Sequence, residues 1–405
     1  MFNAISGLRV IEGASFIAAP LCCLHLAQLG AEVIRFDPIG GGPDFGRWPA
    51  APDGSSFYWE GLNKGKKSIA IDLRRPEGRE LVVELIAAPN PTGGLFVTNF
   101  PAEGFLSHSA LSAKRSDLIT VRVMGWADGT TALDYTVNAA VGYPLMTGPP
   151  ENSAPVNHVL PAWDLLTGSY AAFALLAAER YRRETGIGQE VRIPLGDIAI
   201  STIGHLGQIA EVKIGGSDRP RFGNALFGAF GRDFGTADGL LVMLVAITAR
   251  QWKAIVDALG ISLSIASLES ELGVTFAESE TLRFKHREQL FSIIEGAVRK
   301  TNLTDLADVL TEKGACWSQY QTVKEAVTKD PRVLENPMLS NIQHPSGYSY
   351  LAPGAAATFT GLGRESPTRA PRLGEHTEEV LAELLGMSDI AIARLHDQGI
   401  VANSA

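Results

Sequence analysis

From its first residue to about Gly215 the chain alternates short β-branched runs with helical patterns, and that alternation leaves few folds open. Leu8–Glu12 (LRVIE), Glu32–Phe36 (EVIRF), Ser68–Leu73 (SIAIDL), Leu95–Asn99 and Leu118–Val123 have the length and composition of strands. Ala18–Leu29 and Pro76–Ala88 lie between them with helical periodicity, the second with proline in its first turn. Strands separated by helices predict an α/β fold, a parallel sheet joined by crossover helices. Leu165–Arg183 is a further helix, stopped by the glycines of TGIGQEVRI before another short strand, and Gly196–Lys213 is read as one more helix.

The character changes at Gly215–Gly223 (GGSDRPRFG), a polar, turn-forming link. Beyond it Gly239–Ile247 (GLLVMLVAI) reads as a buried strand, followed by helices over Arg250–Leu259, Leu282–Lys300 and Leu303–Lys313. These features predict a large domain over 1–224, a smaller α/β domain over 225–330, and an extended segment over 331–405 that enters a helix at Thr377. A chain of 405 residues is long enough for such a division.

A formal net charge of −9 argues against nucleic-acid binding, so any anionic ligand must be held by local donors. No apolar run is long enough to predict a membrane span, and MFNAISGLRVIEG does not read as a secretory leader. Cys22, Cys23 and Cys316 follow no disulfide or zinc spacing, which suits a reducing cytoplasm. His158, His205, His344 and His376 show no ligand spacing, so no metal site is expected, and no G-x-S-x-G elbow is present.

Three stretches remain as candidates. Asp164, in VNHVLPAWDLLTG, immediately precedes an apolar helical run. An aspartate there can cap the helix. It can equally be an ionised nucleophile toward an activated acyl group, with the amides that begin the helix as oxyanion donors. The loop Gly40–Arg47 (GGGPDFGR) is either an ordinary glycine turn or a phosphate cradle. The cations of Asn63–Ser68 (NKGKKS) with Arg74 and Arg75 are either solvated or a phosphate site. Cys22 and Cys23 are read as packing residues.

Read together, LRVIEGASFIAAPLCCLHLAQLGAEVIRFDPIGGG, LNKGKKSIAIDLRRPEGREL, VTNF, TGIGQEVRIPLGDIAI, GRDFGTADG and APRLGEHTEEVLAELLG resemble the class III CoA-transferases nearly end to end. GLNKGKKSIAID, PVNHVLPAWDLLTG, IGHLGQIAEV and FGAFGRDF look most like members that move CoA within one molecule, between the two carboxyl groups of mesaconate. The resemblance implies a Rossmann-like large domain with a returning C-terminal segment, a small α/β domain, and an interlocked homodimer. It implies an acyl-CoA substrate, so that coenzyme A is part of the substrate and no prosthetic group is needed. It puts the catalytic aspartate on Asp164 and CoA contacts on Ile71, Asp72, Leu73 and Arg74, whose apolar members would flank adenine while Arg74 meets phosphate. Further contacts fall on Asn99, Phe100 and Pro101. An arginine that some members carry after this motif is Ser107 here, leaving Arg35, Arg47 or Lys66 to take its place. The family's racemases carry a histidine where Leu133 stands and a glutamate where Thr248 stands, so the paired acid and base that racemisation requires are missing.

Overall fold

The computed structural model describes residues 1–101 and 103–404. In chain order the elements begin β1 (Arg9–Gly13), α1 (Ala18–Gln28), β2 (Glu32–Asp37), α2 (Phe57–Leu62), β3 (Lys67–Ile71), α3 (Pro76–Ala87) and β4 (Leu95–Thr98). They continue with α4 (His108–Ser112), β5 (Ile119–Met124), α5 (Asp134–Ala140), α6 (Tyr143–Met146), α7 (Ala162–Thr185), β6 (Gln189–Pro194), α8 (Leu195–His205) and α9 (Gln208–Gly215). Next come β7 (Phe230–Gly235), β8 (Leu241–Ala246), α10 (Ala249–Ala258), α11 (Ser262–Leu272), α12 (Glu280–Lys285), α13 (Arg287–Val298), α14 (Leu303–Glu312) and β9 (Cys316–Gln319). The chain ends with α15 (Val323–Lys329), α16 (Pro331–Leu334), β10 (Leu339–Gln343), β11 (Ser349–Pro353), α17 (Thr377–Leu385), α18 (Asp389–Asp397) and β12 (Val401–Ala402).

These elements form two compact units. One comprises Met1–Val141, His158–Gly215 and Glu335–Ala405; the other comprises Gly142–Asn157 and Gly216–Leu334. Gly142–Asn157 therefore groups away from the residues on either side of it.

The first unit is built on a seven-stranded sheet of order β12-β3-β2-β1-β4-β5-β6. All pairs are parallel except β12, which returns from the C-terminus and runs antiparallel to β3 through Val401↔Ile71. The order turns back on itself between β1 and β4, the doubly wound arrangement. Ile11, Ile34, Phe36, Ile69, Ile71 and Phe96 face α3, α17 and α18, and together they make one buried core. Their neighbours Val10, Val33 and Val97 are buried as well, which is why these strands read as near-continuous apolar runs.

Some local readings change: the one helix predicted over Leu282–Lys300 is divided at His286 into α12 and α13. The pattern over Gly196–Lys213 predicts one helix, but Gly207 takes a φ of 76° and divides it into α8 and α9. GLLVMLVAI reads as a buried strand, and β8 is buried on one face only: Val242, Leu244 and Ala246 are buried and Leu241 is exposed. The reason lies in the second unit. Its antiparallel sheet β7-β8-β9 is covered on one face, where Phe230, Phe234, Trp252, Ile255, Phe291 and Ile294 form the core. Among the described residues no helix is long and apolar enough to cross a membrane.

Candidate active site

A doubly wound sheet leaves its ligand crevice outside the carboxyl ends of the strands where the order reverses. Here those strands are β1 and β4. The chain leaves β1 through Ser15, Phe16 and Ile17 into α1, and leaves β4 through Asn99, Phe100 and Pro101. Asn99 ties the two exits together, its Oδ1 accepting the Ser15 N–H at 3.0 Å and its Nδ2 donating to the Ser15 carbonyl at 2.7 Å. Phe16 has φ 71°, a left-handed conformation costly for an aromatic residue, and Asp44 accepts its N–H at 3.1 Å. A cleft of about 560 Å³ opens at this point, and both exits line it together with Arg122 and Asp164.

Asp164 reaches the cleft from the first turn of α7. One turn further on, Gly168 lets α7 lie against α1: a Cβ there would stand 2.7 Å from the Ala18 carbonyl oxygen and 3.0 Å from Leu21 Cβ. Residues four apart share a helix face, so the same contact carries Asp164 over the start of α1.

Asp164 is not the cap of its helix, as one reading of the sequence holds. It is the third helical residue, and the cap comes from 30 positions upstream. Asp134 opens α5 and is 2 % exposed; its Oδ2 accepts the N–H of Trp163 at 2.7 Å and of Asp164 at 3.1 Å. Its Oδ1 accepts from His158 Nε2 at 2.7 Å, and Tyr135 packs edge-on against that imidazole. Sequence reasoning noted this segment for the absent histidine at 133 and missed the acid beside it. The available signal was an aspartate opening a helical pattern, a residue type that satisfies amides.

This setting moves the nucleophile candidate. Burial raises the Asp164 carboxyl from its ordinary 3.8 to about 6; the Asp134 charge raises it too, and Arg47 opposes them. At pH 7 the group is still mostly ionised, at roughly ten to one, and is more basic than an exposed carboxylate. That combination suits a carboxylate that must attack an acyl carbon and later leave it.

The sequence offers the first amides of α7 as candidate oxyanion donors. The amides of α7 are already used: Ala162 donates to the Leu160 carbonyl, Trp163 and Asp164 to Asp134, and Leu165 to the Pro161 carbonyl. At the start of α1 the amides of Ile17, Ala18 and Ala19 have no acceptor among the described residues, and Ile17 has no side-chain cap. The Ser15 hydroxyl beside them is buried without a partner.

The candidate cations sort by burial. Arg35 is 1 % exposed; it grips Asp37 through two bonds of 2.8 Å and reaches both oxygens of Asp44, at 3.0 and 3.1 Å. Lys66 is buried against Glu12 at 2.7 Å and the Pro20 carbonyl at 2.9 Å. Both are inside the fold and cannot replace a phosphate-binding arginine. Lys64 is buried too, held at about 8 by burial and then by the charge of Lys66, so NKGKKS is neither a solvated run nor an open anion site. Arg47 is different: it is exposed, and its guanidinium lies 5.4 Å from the rings of Phe16 and Tyr58. The glycine loop thus delivers an arginine and the Asp44 carboxylate beside the β1 exit.

Of the remaining predicted contacts, Asn99, Phe100 and Pro101 line the cleft with Asp164, whereas Ile71, Asp72, Leu73 and Arg74 do not. Ile71 is fully buried in the sheet core, so its side chain cannot flank a base. Leu73 is partly buried against the same core. The Arg74 side chain is 89 % exposed, with Nε and Nη2 bound to Asp72 at 2.9 and 3.0 Å. The Asp72 carboxyl is held at about 2, first by that side-chain hydrogen bond.

The sequence profile of CoA-transferase family III matches residues 5–377. The 2-methylfumaryl-CoA isomerase of Chloroflexus aurantiacus is 50 % identical over 404 residues, covering 99 % of this chain and 98 % of that protein. The succinyl-CoA:glutarate CoA-transferase of Homo sapiens is 27 % identical, covering 98 % of this chain and 90 % of its own. Among solved structures, a CAIB/BAIF family protein from Brucella suis superposes with a TM-score of 0.77 at 25 % identity, over 95 % of this chain and all of that one. With its parallel sheet and its match across nearly the whole sequence, the chain belongs to CoA-transferase family III.

Proposed function

We propose that this enzyme transfers CoA between the two carboxyl groups of mesaconate, converting 2-methylfumaryl-CoA to 3-methylfumaryl-CoA, with Asp164 as the covalent nucleophile. The observation that carries the chemistry is a largely buried carboxylate, held near pKa 6, in a cleft at the switch point of the sheet. The similarity to a named 2-methylfumaryl-CoA isomerase, at 50 % identity over essentially the whole chain, supports the choice of acid.

In the first step an Asp164 oxygen attacks the C1 thioester carbonyl; the C–S bond breaks and CoA leaves as thiolate, giving a mixed anhydride. The thiolate attacks the aspartyl carbonyl and expels mesaconate as a carboxylate, leaving an aspartyl-CoA thioester. Mesaconate then attacks that thioester with its C4 carboxylate, and the thiolate finally attacks C4, returning Asp164 as carboxylate. No net proton is exchanged. The amides of Ile17, Ala18 and Ala19 and the Ser15 hydroxyl are the donors available for the tetrahedral oxyanions, a contribution of about 3 kcal/mol per donor in comparable sites. Asn99 and Asp44 hold that loop in place, and Asp134 fixes the backbone of the nucleophile. Arg47 favours the ionised nucleophile.

Free mesaconate must stay in the cleft between the half-reactions, because retention makes its recapture effectively unimolecular. Water must be kept out, since anhydrides hydrolyse. The working form is an interlocked homodimer in the cytoplasm. Leu166, Tyr170, Phe173 and Tyr181 on α7 are each 45–65 % exposed, and α9 has no buried residue, so both helices present apolar surface for a second copy to cover. Cys22 and Cys23 are unpaired, as a reducing compartment allows.

Isotopically labelled free mesaconate tests the intramolecular route. Isomerisation of unlabelled 2-methylfumaryl-CoA should proceed with almost no label entering the ester pool. Label entering as fast as isomerisation would establish an intermolecular CoA-transferase, the activity named for the 27 % identical human relative. A non-catalytic acyl-CoA-binding protein would bind the ester and turn over neither isomer.

A further inference from the structure

Arg122 lies in β5, and strand geometry fixes which way it points. Side chains two apart share a face, and the Thr120 hydroxyl bonds His108 Nδ1 of α4 at 2.9 Å. Arg122 therefore stands on the α4 face of the sheet, while Asp164 arrives on the opposite face with α7. The cleft joins them across the carboxyl edge of β4 and β5, passing Asn99, Phe100 and Pro101.

Arg122 is the one cation among the described residues that line this cleft. It is also underused. Its one ion pair among the described residues is a loose one, to Glu190 Oε1 at 3.8 Å and beyond hydrogen-bond range, while Arg192 holds the other oxygen of Glu190, Oε2, at 2.6 and 2.8 Å. Glu103, the other acid besides Asp164 in the lining, forms no ion pair with it. A partly buried guanidinium with a free donor fork, in a protein of net charge −9, is a site for a compact anion such as a phosphate.

We infer that Arg122 grips a phosphate of the CoA moiety, at the end of the cleft away from Asp164. This rests on the acyl-CoA reading of the site and assigns a role that neither Arg35 nor Lys66 can fill. The linear shape of CoA fits: a thioester held at Asp164 and an arm laid over Asn99 and Phe100 would deliver the phosphates to the α4 side. Binding energy at this remote end holds the reacting carbonyl in register.

The test is calorimetric binding of CoA, 3′-dephospho-CoA and pantetheine to the full chain, wild type against Arg122→Gln and Arg122→Lys. Arg122→Gln should weaken CoA about ten- to a hundredfold and leave pantetheine unchanged, with Arg122→Lys recovering part of the loss. If dephospho-CoA is insensitive to the substitution, the 3′-phosphate is the partner; if it weakens with CoA, the diphosphate is. Unchanged CoA affinity in a folded Arg122→Gln overturns the inference. So does equal weakening of pantetheine, which would put Arg122 at the reacting end. Should Arg122→Gln not fold, the CoA-to-pantetheine comparison in Arg122→Lys decides by the same criteria. The nucleophile proposal is separable: it is read from the acyl or CoA adduct on Asp164 in wild type alone, and absence of that adduct would remove the nucleophile without touching the phosphate grip.

Discussion

Replacing Asp164 by asparagine should abolish turnover and stabilise the protein. Folding raises this carboxyl from 3.8 to about 6, chiefly by burial. The folded state therefore holds the proton more tightly than the unfolded state, and its advantage is complete below about pH 4 and is lost as pH rises through 6. At pH 7.5 the folded protein bears the whole cost of ionising a buried acid next to Asp134, about 3 kcal/mol for a shift of roughly two units. At pH 5 about half of that cost applies. Asparagine has nearly the same shape and no charge, so Asp164→Asn should be more stable by about 3 kcal/mol at pH 7.5 and by about half as much at pH 5. Denaturant and thermal unfolding of the ligand-free protein at the two pH values measure the difference. A gain that does not depend on pH, or a loss at pH 7.5, would refute the claim that Asp164 is an ionised group held against its preference.

Asp134→Asn keeps an acceptor for the amides of Trp163 and Asp164 but removes the neighbouring charge, so the acidic limb of the kcat/KM profile, expected near pH 6, should move down by about one unit. Asp134→Ala also loses the cap and should unfold earlier by about 1 kcal/mol in denaturant. Gly168→Ala forces a methyl to 2.7 Å from the Ala18 carbonyl oxygen; it should cost about 1–3 kcal/mol and lower kcat by displacing Asp164 relative to the α1 amides. Arg35→Met leaves Asp37 and Asp44 buried without their guanidinium, and the expected loss is about 3–5 kcal/mol in equilibrium unfolding.

The sheet was legible because its strands are covered on both faces, and LRVIE, EVIRF and SIAIDL carry that burial as continuous apolar runs. Their spatial order was not, since nothing local says that β12 returns from position 401 to pair with β3. The site divides in the same way. Asp164 stands out beside a long helical run, and Asn99 follows a strand directly. The cap on Asp164 is a contact across 30 positions, so its sequence neighbours pointed to the wrong capping residue. The charges misled for a related reason. Arg35 and Lys66 look like exposed cations in a string of letters, yet they neutralise Glu12, Asp37 and Asp44 inside the fold. Ile71, next to an exposed turn, faces the core because strand alternation puts it there. Arg122 sits mid-strand among valines, where its partial exposure at the carboxyl edge becomes visible only after β4 and β5 are aligned.

The proposed covalent step can be tested on the protein itself. Wild-type enzyme incubated with 2-methylfumaryl-CoA and quenched with borohydride should yield a peptide in which Asp164 is reduced to homoserine, the product expected from an aspartyl thioester or anhydride; Asp164→Asn should yield none. An unmodified Asp164 in enzyme that is isomerising its substrate, or reduction at a different carboxylate, would contradict the assignment of this side chain as the acyl and CoA carrier.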